Sequence, residues 1–227
     1  MISAKAIEIK LEEEPLINIT GESGVGKTTF ALQYVGTKLK KGNICIWVQA
    51  SEKFPKNRFL DLFSCTSEET QMLGQIILTP GLSLVQNLDQ QEQIIAEVIK
   101  RSKIHPFRIQ FIVIDNISHH LRTQILRTAE IEKVSRCLDH FFASQLLPLV
   151  TLSHLSQTQI LLIHESTYNP KTDHVQPFSY KLFSRIDSVW INLKHNRFKD
   201  TKVCSLESND INEDYNYILD KHGLIFY

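Results

Sequence analysis

Residues 21–28 have the types and spacing of a loop that binds phosphate groups. They read GESGVGKT, which fits the pattern G-x-x-x-x-G-K-[S/T] at every position. Glycines let the backbone curl so that successive N–H groups point at phosphate oxygens, and a helix that follows adds its positive end. We therefore predict a nucleotide site formed by Gly21, Glu22, Ser23, Gly24, Val25, Gly26, Lys27, Thr28 and Thr29.

Four side chains are expected to act on the phosphates and their metal ion. Lys27 would reach the β- and γ-phosphates and contribute to catalysis, while Thr29 would donate to the α-phosphate. Thr28 offers a hydroxyl to Mg²⁺. Asp115 follows the apolar run FIVI, where a carboxylate needs a cation or donors, although it also fits a simple strand-end or helix cap. Together the loop and Asp115 predict ATP and Mg²⁺ as cofactors.

The elements that must position these residues alternate between β-type and helical patterns, which is typical of a mainly parallel sheet flanked by helices. Strands are predicted at residues 16–20, 43–49, 75–79, 111–114 and 147–152, with antiparallel additions to the sheet edge at 188–193, 201–206 and 215–219. Helices are predicted at residues 27–41, 83–101 and 125–144, and a long polar loop at 156–180. Since there is no repeat or linker, residues 1–227 are expected to form one α/β domain.

The composition excludes several classes of protein. The 227 residues are 42% hydrophobic, and 25 basic residues balance 25 acidic ones, so a globally basic nucleic-acid binder is not indicated. No apolar run has the length of a membrane span and no apolar leader is present, so we expect an intracellular protein, cytoplasmic in a prokaryote or nuclear in a eukaryote. Scattered cysteines are expected to be buried free thiols: Cys45, Cys65, Cys137 and Cys204.

Charge is nevertheless uneven towards the C-terminal end of the sequence. Residues 181–202 hold six cations against Asp187 and Asp200: Lys181, Arg185, Lys194, Arg197, Lys199 and Lys202. A run of this kind is either a solvated face or a surface that binds DNA. The sequence leaves both interpretations open.

The strings ITGESGVGKTTFALQ and FIVIDNIS resemble the P-loop and the Walker B strand of the RecA/RadA recombinase superfamily, and the similarity is greatest to RadB and other recombinase paralogues. LVTLSHL resembles the family's next strand, VQPFSYKLFSRIDSVWINL the segment after its second DNA-binding loop, and TKVCSL the strand after that. The resemblance runs from about residue 16 to the end. It implies a RecA-like P-loop NTPase fold, in which antiparallel C-terminal strands extend a mainly parallel sheet. It also implies a recombinase or paralogue as protein partner.

The resemblance also assigns roles to single residues, and the sequence departs from the family at three of them. The family's water-activating glutamate falls at Ser51, with Glu52 next to it, so either a bulge restores Glu52 as the base or hydrolysis is weak. His154 stands where the family has a glutamine that senses the γ-phosphate, and it either donates to phosphate or packs elsewhere. Ser179 and Tyr180 replace the paired glycines that close the second DNA-binding loop, which restricts the backbone there.

These observations lead to one main hypothesis and three alternatives. The main hypothesis is an ATP-binding, RadB-like recombinase paralogue that assists homologous recombination and DNA repair, with weak or slow ATP hydrolysis. The neutral net charge and the missing loop glycines favour a KaiC-like signalling ATPase that acts on proteins. A non-hydrolysing, nucleotide-dependent adaptor is the second alternative. A small-molecule P-loop kinase is the third, but its arginines would lie on a predicted helix without a lid: Arg122, Arg127 and Arg136.

Overall fold

One large β-sheet organises the part of the chain that the structure, a computed structural model, describes: residues 4–63, 72–105, 108–169, 174–196 and 201–227. In chain order the strands are β1 (Leu16–Gly21), β2 (Ile44–Gln49), β3 (Ile76–Thr79), β4 (Ile109–Asp115), β5 (Gln159–Ile163), β6 (Ser166–Asn169), β7 (His174–Pro177), β8 (Val189–His195), β9 (Lys202–Glu207), β10 (Asn212–Asp220) and β11 (Gly223–Phe226).

The sheet combines a parallel core with an antiparallel ribbon. Its nine strands follow the order β11-β10-β9-β8-β1-β5-β4-β2-β3, and β6 and β7 form a separate antiparallel hairpin. Strands β1 to β5 and β8 run parallel, because helical connections carry the chain back over the sheet between most of them. Strands β9, β10 and β11 continue antiparallel from β8. This arrangement confirms the predicted fold class.

Helices cover both faces of the sheet. They are α1 (Ala4–Leu11), α2 (Lys27–Lys38), α3 (Lys56–Leu62), α4 (Leu88–Ile104), α5 (His119–Leu126), α6 (Ile131–Phe141), α7 (Leu147–Leu155) and α8 (Tyr180–Phe183), with a π-helical turn (Phe142–Leu146) joining α6 to α7. The apolar core is accordingly divided into two clusters. Alternate strand residues serve the two clusters: Val113 contributes to the one with α2, and Ile112 and Ile114 to the one with α4.

The predicted strand at residues 147–152 is wrong, because these residues form most of helix α7. Leu149 and Leu152, three residues apart, are buried, whereas Leu147 and Thr151 are exposed, as expected for one face of a helix. A short apolar run has no periodicity that separates a buried strand from a buried helix. The fifth parallel strand is the run QILLI, inside the segment that was predicted to be a loop.

Two further features differ from the prediction, and the backbone at Ser179 is restricted as the sequence indicated. Residues 156–180 hold β5 and the β6–β7 hairpin and are therefore not one long loop, although residues 170–173 lie outside the described part. Strand β8 was predicted to be antiparallel, but it pairs parallel with β1. Ser179 has φ of 56°, in the left-handed region that favours glycine, so the serine adopts this conformation at a cost of about 1–2 kcal/mol.

Two of the three described thiols are buried and unpaired, as predicted. Cys45 and Cys204 are buried and unpaired, and burial raises the pKa of both thiols. Cys137 is unpaired and half-buried, and Cys65 lies outside the described residues. Within the same described ranges, no helix is long and apolar enough to cross a membrane.

Candidate nucleotide-binding site

A cleft of about 700 Å³ opens at the carboxyl edge of the parallel strands. It lies where β1, β4 and β5 end, since the carboxyl ends of parallel strands meet at one edge of a sheet. The loop between β1 and α2 forms one wall, and the rest comes from residues at or after the ends of β2, β4 and β5 and from the β6–β7 hairpin. Nearly all the predicted loop residues line this cleft; Val25 does not, because its side chain is buried in the core.

The loop has the backbone geometry that its glycines permit. Gly21 has φ of 144°, and a Cβ placed there would lie 2.2 Å from the carbonyl oxygen of Leu193 in β8. Gly26 has φ of 101°, and a Cβ there would meet the side chain of Leu219 at 3.1 Å. Larger residues at either position would push the loop away from the strands that support it.

Lys27 extends across the loop that precedes it. Its Nζ donates to the carbonyl oxygens of Gly21 at 2.8 Å and Glu22 at 2.9 Å. Burial lowers the pKa of Lys27, although the negative charges of nearby carboxylates, Asp115 first among them, oppose this effect. An ammonium group held by two neutral carbonyl oxygens is suited to exchange them for the negatively charged oxygens of phosphate.

Thr28 and Asp115, the two residues predicted from the sequence to hold a metal ion, meet where the first turn of α2 approaches the end of β4. The hydroxyl of Thr28 donates to Oδ2 of Asp115 at 3.0 Å, which joins the first turn of α2 to the end of β4. Asp115 is only 5% exposed, and burial raises the pKa of its carboxyl group to about 7, against the effects of Thr28 and Lys27. Hydroxyl and carboxylate oxygens are the ligands that Mg²⁺ prefers, and a buried carboxylate gains from a cation. The residues present therefore fit the ion.

Glu52 lies in the same cleft, beyond the end of β2. The amides of Ala50 and Ser51 both donate to the carbonyl oxygen of Asp115, at 2.8 and 3.0 Å, so the chain bends away from regular pairing there. Ser51 and Glu52 both line the cleft, and the charge of Glu52 acts on Asp115 and Lys27. Because of this bend, Glu52 reaches the cleft although it lies one residue after Ser51, the position of the family's glutamate. Its side chain is exposed.

The position predicted for His154 is wrong. His154 lies near the end of α7, is exposed, and is not among the residues that line the cleft. The prediction depended on a strand at residues 147–152, and these residues are helical. The residues that do follow the strand next to Asp115 are His164 and Glu165, at the end of β5.

His164 is a buried, neutral side chain beside the loop. Its Nε2 lies 2.8 Å from Oδ1 of Asn18, and its ring lies against Trp190 and Phe183. Burial, together with the charge of Lys27, lowers the pKa of His164 to about 3, so the ring carries no charge at neutral pH. Its Nδ1 has no hydrogen-bond partner among the described residues.

The sequence prediction missed a charged group at this edge, formed by Glu165, His119 and Arg122. Nδ1 of His119 lies 2.8 Å from one carboxylate oxygen of Glu165, and Nη1 of Arg122 donates to the other at 3.1 Å. Burial would raise the pKa of Glu165, but these two hydrogen bonds outweigh it and the pKa is lowered. The polar string HES after the apolar run ILLI was the signal that could have identified Glu165.

The β6–β7 hairpin is attached directly to the start of the loop. Ser166, the first residue of β6, accepts a hydrogen bond from the amide of Gly21 at 3.2 Å and donates to its carbonyl oxygen at 2.6 Å. Its hydroxyl also lies 3.2 Å from that of Thr20. Because Glu165 immediately precedes Ser166, the charged group and the hairpin share one connection to the loop.

The basic residues near the C-terminal end do not form one compact patch in the described part of the chain. Lys181 and Arg185 precede β8, whereas Lys194 and Lys202 lie at its far end, where β8 pairs with β9. A strand advances about 3.3 Å per residue, so much of the length of β8 separates the two pairs. Arg197 and Lys199 lie outside the described residues.

Comparison with known proteins adds two findings. A family model described as an AAA domain matches residues 10–163. Among solved structures, one titled "Crystal structure of the RadB recombinase" superposes with a TM-score of 0.68, at 18% identity, over 93% of this chain and 90% of that chain. No curated protein matches the chain. The RecA-like P-loop ATPase fold and the similarity to RadB, both stated from the sequence, are thereby confirmed at the level of the fold.

Proposed function

This chain belongs to the AAA domain family, and from that premise we propose that it binds ATP with Mg²⁺ in the cleft and acts as a RadB-like recombinase paralogue that assists homologous recombination and DNA repair. Thr28 and Asp115 would hold Mg²⁺, and the bound ion would neutralise charge on the β- and γ-phosphates. Lys27 would bind the phosphates, and Glu52 would orient the attacking water. Because Glu52 is exposed, its carboxylate is less firmly positioned than a buried base would be, and hydrolysis is slow.

One observation carries the nucleotide part of this proposal. The hydroxyl of Thr28 and the carboxylate of Asp115, 87 residues apart in sequence, are hydrogen-bonded at 3.0 Å beside the ammonium group of Lys27. A glycine-rich turn that serves only to connect a strand and a helix has no need for a buried carboxylate opposite it, since burying that charge is unfavourable. The pairing is explained if a phosphate-bound divalent ion occupies the cleft.

We expect the wild-type protein to bind ATP–Mg²⁺ and Lys27→Ala to bind it at least about tenfold more weakly, because charged hydrogen bonds to phosphate contribute roughly 1.5–3 kcal/mol. Isothermal titration calorimetry measures both affinities. Lys41→Ala is the matched control, because Lys41 is exposed in the turn after α2, away from the cleft. Absence of ATP binding to the wild type, or equal affinity of Lys27→Ala, would refute the proposal.

The recombination role is supported by the fold similarity to the protein titled RadB recombinase and by the motifs that resemble that superfamily. In this proposal a recombinase or paralogue is the protein partner, and DNA is contacted by the basic residues that precede β8 and those at its far end. Nucleotide would act on these contacts through the β6–β7 hairpin, which is hydrogen-bonded to Gly21. An ATPase that acts on proteins alone is the competing function, and the separation of Arg185 from Lys194 along β8 favours it.

Fluorescence anisotropy with labelled single-stranded DNA, in the presence of ATP–Mg²⁺, distinguishes these functions. If DNA is a ligand, Arg185→Glu/Lys194→Glu should weaken binding at least about tenfold and reduce its dependence on salt, because fewer counterions are released. Lys100→Glu/Lys103→Glu, which makes the same charge change on exposed residues of α4, should have little effect. No binding by the wild type, or equal loss in both variants, would instead favour a function on proteins.

A further inference from the structure

The charged group at the end of β5 has a more specific geometry than a surface ion pair. Both carboxylate oxygens of Glu165 are occupied, one by Nδ1 of His119 at 2.8 Å and the other by Nη1 of Arg122 at 3.1 Å. The backbone amide of Glu165 donates to the hydroxyl of Ser118 at 3.0 Å, which fixes the start of α5 against the end of β5. We refer to Glu165, His119 and Arg122 as the Glu165 clamp.

The Glu165 clamp lies within the nucleotide cleft. Its three residues line the same cleft as Lys27, Thr28 and Asp115. Strand β5 lies between β1, which leads into the P-loop, and β4, which ends at Asp115, so Glu165 emerges between the two halves of the site. Glu165 is also close enough to Lys27 for its charge to raise the pKa of that ammonium group. If Lys27 binds the β- and γ-phosphates, the clamp faces the terminal phosphate.

A terminal phosphate would change the balance of charge at this position. It adds negative charge beside the carboxylate of Glu165, and like charges at short range repel. Arg122 is partly exposed, at 39% of its side chain, and a guanidinium group has five N–H donors arranged to bind carboxylate or phosphate oxygens. One side chain can therefore serve either anion, and phosphate would compete with Glu165 for it.

We propose that Arg122 binds the γ-phosphate, and that Glu165 holds Arg122 in place until nucleotide arrives. Replacement of the Arg122–Glu165 ion pair by an Arg122–phosphate pair would then set the preference of the site for triphosphate over diphosphate. The inference rests on the proposed nucleotide function and adds a recognition residue outside the P-loop. Because Ser166 follows Glu165 and is hydrogen-bonded to Gly21, release of Glu165 would also change the support of the β6–β7 hairpin.

Affinities for ADP–Mg²⁺ and for the non-hydrolysable ATP analogue AMP-PNP–Mg²⁺ test this assignment without depending on turnover. Arg122→Ala should bind AMP-PNP about tenfold more weakly than the wild type, equivalent to one charge-assisted hydrogen bond, while its ADP affinity changes less than about twofold. Glu165→Gln should bind AMP-PNP several-fold more tightly, because the competing carboxylate is removed, again with little change for ADP. Arg122→Lys, which keeps the charge but loses the planar donors, should be intermediate.

Arg127→Ala is the matched control, because Arg127 is exposed at the end of the same helix and does not line the cleft. It should leave both affinities unchanged. A purely structural role for Arg122 would alter the two affinities equally, so equal loss, or no loss, in Arg122→Ala overturns the assignment while nucleotide binding itself stands. Failure of the wild type to bind either nucleotide would instead refute the proposed function, and this assignment with it.

Discussion

The carboxyl group of Asp115 is buried at the end of β4, and burial raises its pKa from 3.8 to about 7. In the folded protein this group therefore holds its proton more tightly than in the unfolded chain. The stability that it contributes is fully present at low pH and is lost as the pH rises from about 4 to about 7, since the folded state must then carry a buried charge.

Asp115→Asn, which mimics the protonated side chain, should remove this dependence. Without Mg²⁺ or nucleotide, we expect the variant and the wild type to have similar unfolding free energies near pH 4. The variant should gain an advantage on the order of 1 kcal/mol per pH unit up to about pH 7, then no more. Urea denaturation at a series of pH values measures the difference. A difference that does not vary with pH would show that the carboxyl group is not buried as described.

Single residues also show where reasoning from the sequence succeeds. The loop residues and Asp115 could be placed because their motifs are local: each is a short string with a defined element before and after it. His154 could not, because its role depended on identifying the correct strand, and LPLVTL and QILLI are both short apolar runs. Arg122 was assigned to a helix from the sequence. Its contact with Glu165 could not be predicted, because that contact depends on tertiary packing.

Among the elements, the β10–β11 hairpin has a function that the order of strands does not suggest. Although β10 is three strands away from β1 in the sheet, the phenol of Tyr217 donates to the carbonyl oxygen of Val25 at 2.8 Å. Arg58 connects the turn after β10 to the P-loop helix, through the carbonyl oxygens of Asp220 and Lys221 and the hydroxyl of Thr29. The β10–β11 hairpin thus stabilises the P-loop and the first turn of α2 through these hydrogen bonds.

Tyr217→Phe should weaken this support. Tyr217 is fully buried, so loss of its hydroxyl leaves the Val25 carbonyl without this donor and should cost about 1–2 kcal/mol of unfolding free energy. Nucleotide affinity should also fall several-fold, because the loop is less well fixed. Tyr215→Phe is the control on the same strand, since its hydroxyl contacts Glu213 and not the loop. Calorimetry and denaturation measure both effects, and equal nucleotide affinity in the two variants would argue against the support.

At the scale of the whole molecule, most of the alternation of strands and helices was predictable, because apolar runs and glycine or proline breaks are local signals. The parallel pairing of β8 with β1 was not, since pairing partners are set by contacts between distant residues. The hairpin at residues 166–177 was hidden for a related reason. Its strands are short and polar, and they are stabilised in part by the bond between Ser166 and Gly21.

The contact between Tyr217 and Val25 joins positions 192 residues apart. During synthesis on the ribosome, the P-loop therefore emerges long before β10, the strand whose Tyr217 holds the loop in shape. Nucleotide capture should accordingly begin only after β10 and β11 have left the exit tunnel. Such a delay would couple ligand binding to the pairing of β9, β10 and β11, because non-local pairings of this kind form slowly.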